Sequence, residues 1–201
     1  MAKNTILIDF DGVIRHWSND ELESVESNLG LDAGTLYSVA FKRDYLVPAI
    51  TGKISHEQWL TNVAAKLTVM HNPEIAEQLI TCWRSLKFKI DHDFLGEIKS
   101  RAPEASLVLV TNATSRLPFD LVKAKLKSAF DYVINSSDIK ETKPNSGFFK
   151  KTLSIIHQPV DNTIYIDDTL ANVVTAQSMG ITSIHHCTTF ETLTFIQSHF
   201  E

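Results

Sequence analysis

The stretch Thr5-Ile6-Leu7-Ile8-Asp9-Phe10-Asp11-Gly12 decides the fold. Three consecutive aliphatic residues run into two carboxylates and a glycine. A continuous apolar run, rather than strict alternation, suits a strand buried on both faces of a parallel sheet. Four further runs repeat the pattern. Ser106 to Val110 ends in Thr111-Asn112, and Thr163 to Ile166 ends in Asp167-Asp168. Asp131 to Ile134 and the weaker Thr182 to Ile184 complete the set. Amphipathic helical patterns lie between them: Phe94 to Arg101, Leu117 to Ser128, Phe148 to Ile156, Asn172 to Met179 and Phe190 to Ser198. Gly180 is a natural stop for the fourth of these. Strand and helix in alternation indicate an α/β fold with a doubly wound parallel sheet.

From about Ser18 to Leu86 this rhythm breaks. The segment has no convincing strand and four helical patterns, Glu21 to Leu29, Leu36 to Phe41, His56 to Leu67 and Pro73 to Trp83. Ser55-His56-Glu57-Gln58 fits a capping box, and Asn72-Pro73 an N-cap followed by proline at the first helical position. The expected organisation is a Rossmann-like core of residues 1–17 and 87–201, with residues 18–86 as a small all-helical cap.

Composition narrows the function classes. The chain has 201 residues, 43% of them hydrophobic, enough for a sizeable core. Its formal net charge of −5 argues against a binder of nucleic acid that works through a basic surface. A locally positive site for a small anion remains compatible with that charge. Cys82 and Cys187 are too few for a disulfide framework and lack zinc-site spacing, which fits reduced thiols in a cytoplasmic protein. The early Asp9 breaks the N-terminal apolar run too soon for a signal peptide, and no stretch approaches the ~20 apolar residues of a membrane span.

The polar residues at the strand ends carry the chemistry. Strand alternation aims Asp9 and Asp11 to the same side, into the crevice where open α/β sheets bind ligands. Gly12 lets the chain turn at once. Two ionised carboxylates so close repel unless a cation joins them. A solvated acidic turn would show the same spacing. Asp167-Asp168 repeats the arrangement, with Asn172 a helical turn later. An N-cap role would explain Asp168 but not the pair. Four acids at one sheet edge call for a hard cation, and oxygen ligands favour Mg²⁺. Thr111 and Asn112 can donate hydrogen bonds to an anion, although turn chemistry also favours these types. Lys143-Pro144 precedes a helix start, where a lysine adds positive charge to an anion-friendly end.

The order of these four elements resembles the haloacid dehalogenase superfamily of hydrolases. Its D-x-D-G motif matches Asp9 to Gly12, its strand-ending Ser or Thr matches Thr111 with Asn112 following, its lysine matches Lys143-Pro144, and its acidic pair matches Asp167-Asp168 with Asn172 in the D-D-x-x-x-N form. The resemblance covers the whole chain, including a helical cap after the first motif. Dehalogenases proper usually lack the second aspartate of that motif. Keeping Asp11 looks like the Mg²⁺-dependent phosphatases and phosphomutases. One departure is Asn145-Ser146 after Lys143-Pro144, where the family often has an acidic residue.

What the resemblance implies is a phosphatase for a small-molecule phosphate monoester, such as a sugar phosphate or a nucleotide. Asp9 would attack phosphorus and Asp11 would act as general acid and base. Thr111, Asn112 and Lys143 would contact the phosphoryl group. Mg²⁺ would take a carboxylate oxygen of Asp9, the backbone carbonyl of Asp11, Asp168 directly and Asp167 through water. Asn172 would hold the acidic loop. Arg15, His16, Trp17 and Arg43 could reach the leaving group, whereas Trp59 and Trp83 read as cap core and His185-His186 as strand-end residues. The same motifs would serve a phosphomutase or a catalytically retired phosphate-binding protein. A phosphorylated receiver domain is disfavoured by the motif order. The expected partner is a small phosphate ester, with no nucleic acid or membrane, on a monomer or homodimer.

Overall fold

The computed structural model describes residues 4–200. Its strands are β1 (Thr5–Ile8), β2 (Arg15–Trp17), β3 (Phe88–Ile90), β4 (Ser106–Thr111), β5 (Tyr132–Asn135), β6 (Thr163–Asp167) and β7 (Thr182–His185). Five helices lie between β2 and β3: α1 (Asp20–Asn28), α2 (Thr35–Ala40), α3 (Arg43–Ile50), α4 (His56–Met70) and α5 (Pro73–Ser85). After β3 come α6 (His92–Arg101), α7 (Leu117–Lys123), α8 (Ser136–Ile139), α9 (Ser146–Ile155), α10 (Leu170–Ser178) and α11 (Thr189–Phe200).

The five-stranded sheet has the order β5-β4-β1-β6-β7, and every neighbouring pair is parallel. β1 is central, with Ile8 opposite both Leu109 and Ile166. Side-chain alternation divides the runs between two faces. Ile6, Ile8, Leu107, Leu109, Ile164 and Ile166 pack with Phe94, Ile98, Leu121 and Ile196 of α6, α7 and α11. On the other face Leu7, Val108, Val110 and Tyr165 pack with Phe148, Phe149, Leu153 and Ala176 of α9 and α10. Burial on both faces is why these strands read as unbroken apolar runs. Among the described residues no helix is long and apolar enough to cross a membrane.

The helices between β2 and β3 bury their own cluster, which includes Leu22, Leu36, Trp59, Leu60, Val63 and Leu79. Ser55 and Gln58 form the capping box that starts α4, and Asn72 accepts from the Ile75 amide at the start of α5. α2 follows Gly34, which has no side chain to cap it. The fully buried Glu26 of α1 does so instead, accepting from the amides of Gly34 at 2.7 Å and Leu36 at 2.8 Å.

Five elements differ from the sequence expectation. β2 and β3 pair antiparallel, Trp17 opposite Phe88, on the two sides of the helical segment. Each is three residues long, and its partner lies at the far end of the insertion, so no local pattern announces it. α3 carries Pro48 in its last turn, and α8 is a single turn. α7 ends at Lys123 rather than Ser128, because Lys125 turns left-handed at φ 59° and the Leu126 amide closes back on Leu121.

Candidate active site

The site forms where β1, β4 and β6 end. β1 stops at Ile8, one residue before Asp9, whose amide still donates to Ile166 of β6. The chain then turns. The amides of Ile14 and Arg15 both donate to the Phe10 carbonyl, and Gly12 adopts φ 82°. Regular strand ends at Ile8, so it is this turn, and not alternation along β1, that sets the directions of Asp9 and Asp11.

Asp9 turns inward. Its Oδ1 lies 2.8 Å from Lys143 Nζ and accepts from the Phe10 amide at 2.7 Å, while Oδ2 takes no hydrogen bond among the described residues. Lys143 Nζ also reaches Asp167 at 2.7 Å and the Val110 carbonyl at 3.1 Å. Lys143 is thus a buried bridge rather than a solvated charge. Its backbone is fixed by Asn112, whose side-chain amide exchanges two hydrogen bonds of 2.9 Å with the amide and carbonyl of Lys143. Asn112 therefore spends its amide on positioning the lysine. Thr111 ends β4 nearly buried, and its hydroxyl makes no hydrogen bond among the described residues.

Asp167 is fully buried and saturated with donors. Besides Lys143 it accepts from the Thr169 amide at 2.8 Å, from Asn172 Nδ2 at 3.0 and 3.1 Å, and from the Tyr165 hydroxyl. Asp168 is exposed and has one weak partner, Thr169 Oγ1 at 3.3 Å. Thr169, not Asp168, precedes α10 as its N-cap. His185 Nε2 lies 2.7 Å from the Asp168 carbonyl, which can only accept, so this nitrogen carries the proton.

Carboxylate oxygens of Asp9, Asp167 and Asp168 lie within 4.8 Å of one another. Burial pushes the Asp9 carboxyl up to about 7; Lys143 opposes that shift and Asp167 adds to it. Burial also raises Asp168, with Asp167 adding repulsion. Burial would raise Asp167 too, but Lys143 and its hydrogen bonds hold it below the ordinary value. Lys143 pairs with Asp9 and Asp167 but not with Asp168, so with all three carboxylates ionised the cluster carries excess negative charge. An all-oxygen donor set with that charge fits a hard divalent cation.

Asp11 lies outside this cluster. Its carboxylate is gripped by Arg15, Nε to Oδ1 at 2.7 Å and a terminal nitrogen to Oδ2 at 2.8 Å, and by Trp17 Nε1 at 2.7 Å. Arg15 is buried over the ring of Phe10, 4.3 Å from its centroid, and its other terminal nitrogen donates to Asp120 at 3.0 Å. Arg116 completes the chain on Asp120 at 2.9 Å. Burial alone would lower the Arg15 pKa, but Asp11 and Asp120 hold it above its ordinary value.

Asp11 and Asn112 connect this centre to a cavity of about 160 Å³ walled by Trp17, Tyr37, Phe41, Trp59 and Trp83. Trp59 and Trp83, expected as core alone, are therefore also cavity walls, while Arg43 is exposed at the start of α3 and lines none of it. Three contributors were not read from the sequence. Tyr165 stands two residues before Asp167 on one strand, a spacing that already places them on one face. Arg116 and Asp120 have the i, i+4 spacing of a helical ion pair, but nothing local points to Arg15 as their third member.

The haloacid dehalogenase-like hydrolase family matches residues 87–186. Pyrophosphatase PpaX of Bacillus cereus is 23% identical over 190 residues, covering 90% of this chain and 81% of that protein. Drimenol cyclase drtB of Aspergillus calidoustus is 29% identical over 129 residues; these are 61% of this chain and only 24% of the cyclase. The fold is shared with a HAD family enzyme of Bacteroides thetaiotaomicron solved with magnesium and inorganic phosphate, at TM-score 0.71, 19% identity, and 90% and 93% coverage of the two chains. It is shared equally with the L-2-haloacid dehalogenase RSc1362, at TM-score 0.70, 13% identity, and 98% and 100% coverage. Residues 87–186 thus carry the match to the haloacid dehalogenase-like hydrolases, and the fold is shared with solved structures over 90–98% of the chain.

Proposed function

We propose that the chain is a Mg²⁺-dependent phosphatase that hydrolyses a small phosphate monoester through an aspartyl-phosphate on Asp9. The observation that carries this reading is Lys143 Nζ, held 2.8 Å from Asp9 and 2.7 Å from Asp167 beside the freer Asp168. The PpaX relative and the neighbour solved with magnesium and phosphate support it. So does Asp11, whose acid–base work a phosphatase requires. In this reading residues 1–17 and 87–201 form the catalytic core and residues 18–86 the cap.

Asp9, Asp168 and the Asp11 carbonyl would hold the ion, with Asp167 behind water because its oxygens are already occupied. When bound, Mg²⁺ supplies charge neutralisation between the carboxylates and the phosphoryl oxygens. The free Oδ2 of Asp9 attacks phosphorus and the ester P–O bond breaks. Asp11, in its protonated form, gives its proton to the departing alkoxide. A water then gives a proton back to Asp11 and attacks the aspartyl-phosphate, releasing inorganic phosphate and regenerating Asp9. Lys143 offsets the charge on Asp9, and the free Thr111 hydroxyl donates to a phosphoryl oxygen. Arg15 and Trp17 orient the Asp11 carboxyl with two donors on Oδ1 and one on Oδ2, so Oδ2 keeps a lone pair for the proton.

The test is phosphate release from p-nitrophenyl phosphate with Mg²⁺, with chelator, and with Asp9→Asn. The expected result is metal-dependent release that falls at least about 10³-fold in the variant. Equal release with chelator, or a fully active variant, overturns the reading.

A further inference from the structure

Most polar groups around the cavity are committed to one another, and this limits what the cavity can bind. Asp11 is held by Arg15 and Trp17, and Asp120 by Arg15 and Arg116. The Asn112 amide is engaged with the Lys143 backbone. His56 Nδ1 meets Thr114 Oγ1 at 2.9 Å. The aromatic walls turn their polar tips elsewhere too: Trp59 Nε1 donates to the Ala40 carbonyl at 3.2 Å, and the Tyr37 hydroxyl to Asn19 at 2.6 Å. Among the described residues of the lining, the buried polar atom left without a partner is His56 Nε2, on a ring 8% exposed.

What remains is a continuous aromatic wall. Ring centroids stand 5.3 Å apart for Tyr37 and Phe41, 5.5 Å for Tyr37 and Trp83, and 5.5 Å for Trp59 and Trp83. Its volume of about 160 Å³ is close to the ~150 Å³ of an engineered apolar cavity that admits one benzene. A sugar placed there would set most of its hydroxyls against aromatic faces, with His56 Nε2 and the terminal nitrogens of Arg116 as the free polar partners among the described lining residues, so several hydroxyls would be desolvated without compensation. A flat apolar ring would meet matching surface.

We propose that this cavity selects a phosphate monoester whose leaving group is a compact aromatic ring on a short stem, and that Phe41, Trp59 and Trp83 set that preference. The inference rests on the phosphatase reading for its phosphoryl half and on the cavity for its leaving-group half.

Two measurements separate these halves. All three tryptophans of the chain line the cavity, so intrinsic fluorescence reports its occupation. Titration with benzylphosphonate, ethylphosphonate and 2,3-dihydroxypropylphosphonate, with Mg²⁺ present, compares ring, alkyl and polyol on non-hydrolysable probes. Benzylphosphonate is expected to quench and to bind at least about tenfold more tightly than either of the others. Phe41→Ala, at a half-exposed rim position, is expected to reduce the benzyl-to-ethyl ratio. Equal affinities, or preference for the polyol, overturn the inference whatever the activity. In the second measurement benzyl phosphate, ethyl phosphate and glucose 6-phosphate all leave as primary alkoxides, so their kcat/KM values compare recognition rather than leaving-group chemistry. Benzyl phosphate is expected to lead by a similar factor, and faster turnover of glucose 6-phosphate overturns the inference. Ring preference in binding with no phosphate released from any ester supports the cavity's selectivity and removes the hydrolytic reading.

Discussion

Gly12 and Asp168 pack so closely that a Cβ on Gly12 would lie 2.0 Å from Asp168 Oδ2. The exposed carboxylate of Asp168 is thereby set against the turn that carries Asp11. Gly12 also holds φ 82°, where other residues pay about 1–2 kcal/mol. Gly12→Ala is therefore expected to push Asp168 out of place while the core stays folded. The Mg²⁺ concentration for half-maximal phosphatase activity should rise by about 10–100-fold. An unchanged metal requirement would remove Asp168 from the metal site.

Asn112 tests positioning without touching the carboxylates. Asn112→Ala deletes both bonds to the Lys143 backbone. A misplaced lysine should lower kcat by up to about 10²-fold. The Mg²⁺ requirement should stay where it was, and a parallel rise in it would show that the loop and the metal site move together.

His56 gives the protein an acid-sensitive contact. Burial, with Arg116 nearby, lowers its pKa from 6.5 to about 4, while Glu57 and Asp120 oppose the shift and Arg84 adds to it. The unfolded chain therefore binds this proton at a higher pH than the folded one. The stability from a neutral His56 is complete above about pH 6.5 and is lost as pH falls toward 4. In His56→Gln that loss is absent. The Tm of the wild type minus that of the variant should fall steadily between pH 6.5 and 4; a constant difference would contradict the assignment.

Glu26 carries the start of α2. Glu26→Ala leaves the part-buried Gly34 amide and the buried Leu36 amide without their acceptor, at a cost of about 2–4 kcal/mol. Glu26→Gln keeps one acceptor and should recover part of that. Thermal denaturation of the three proteins checks the order wild type, Gln, Ala. An Ala variant as stable as the wild type would show that the helix start finds another acceptor.

The five sheet strands were legible because their apolar runs are continuous and end in polar or turn residues. Ser55 and Asn72 marked their helix starts because capping is local. β2 and β3 were not legible, since Arg15–Trp17 takes strand form only by pairing with Phe88–Ile90. Helix α7 read too long because its apolar spacing continues past the point where Lys125 turns left-handed. The site was legible as residue types in order, but not as contacts. Asp9 and Asp11 looked like a matched pair, yet one faces Lys143 and the other Arg15.

By itself the sequence determined the alternation of strand and helix, the helical insertion after the first strand, and the polar residues delivered to the strand ends. Those are properties of neighbouring residues: hydrophobic period, caps and turn formers act over a few positions. Only the tertiary structure decided which charge meets which. Arg15 finds Asp120 across 105 positions, and Lys143 finds Asp167 across 24. It also decided that tryptophans from β2, α4 and α5 share one cavity. Periodicity fixes the face on which a side chain lies, but the partner on the opposing face is set by how whole elements pack.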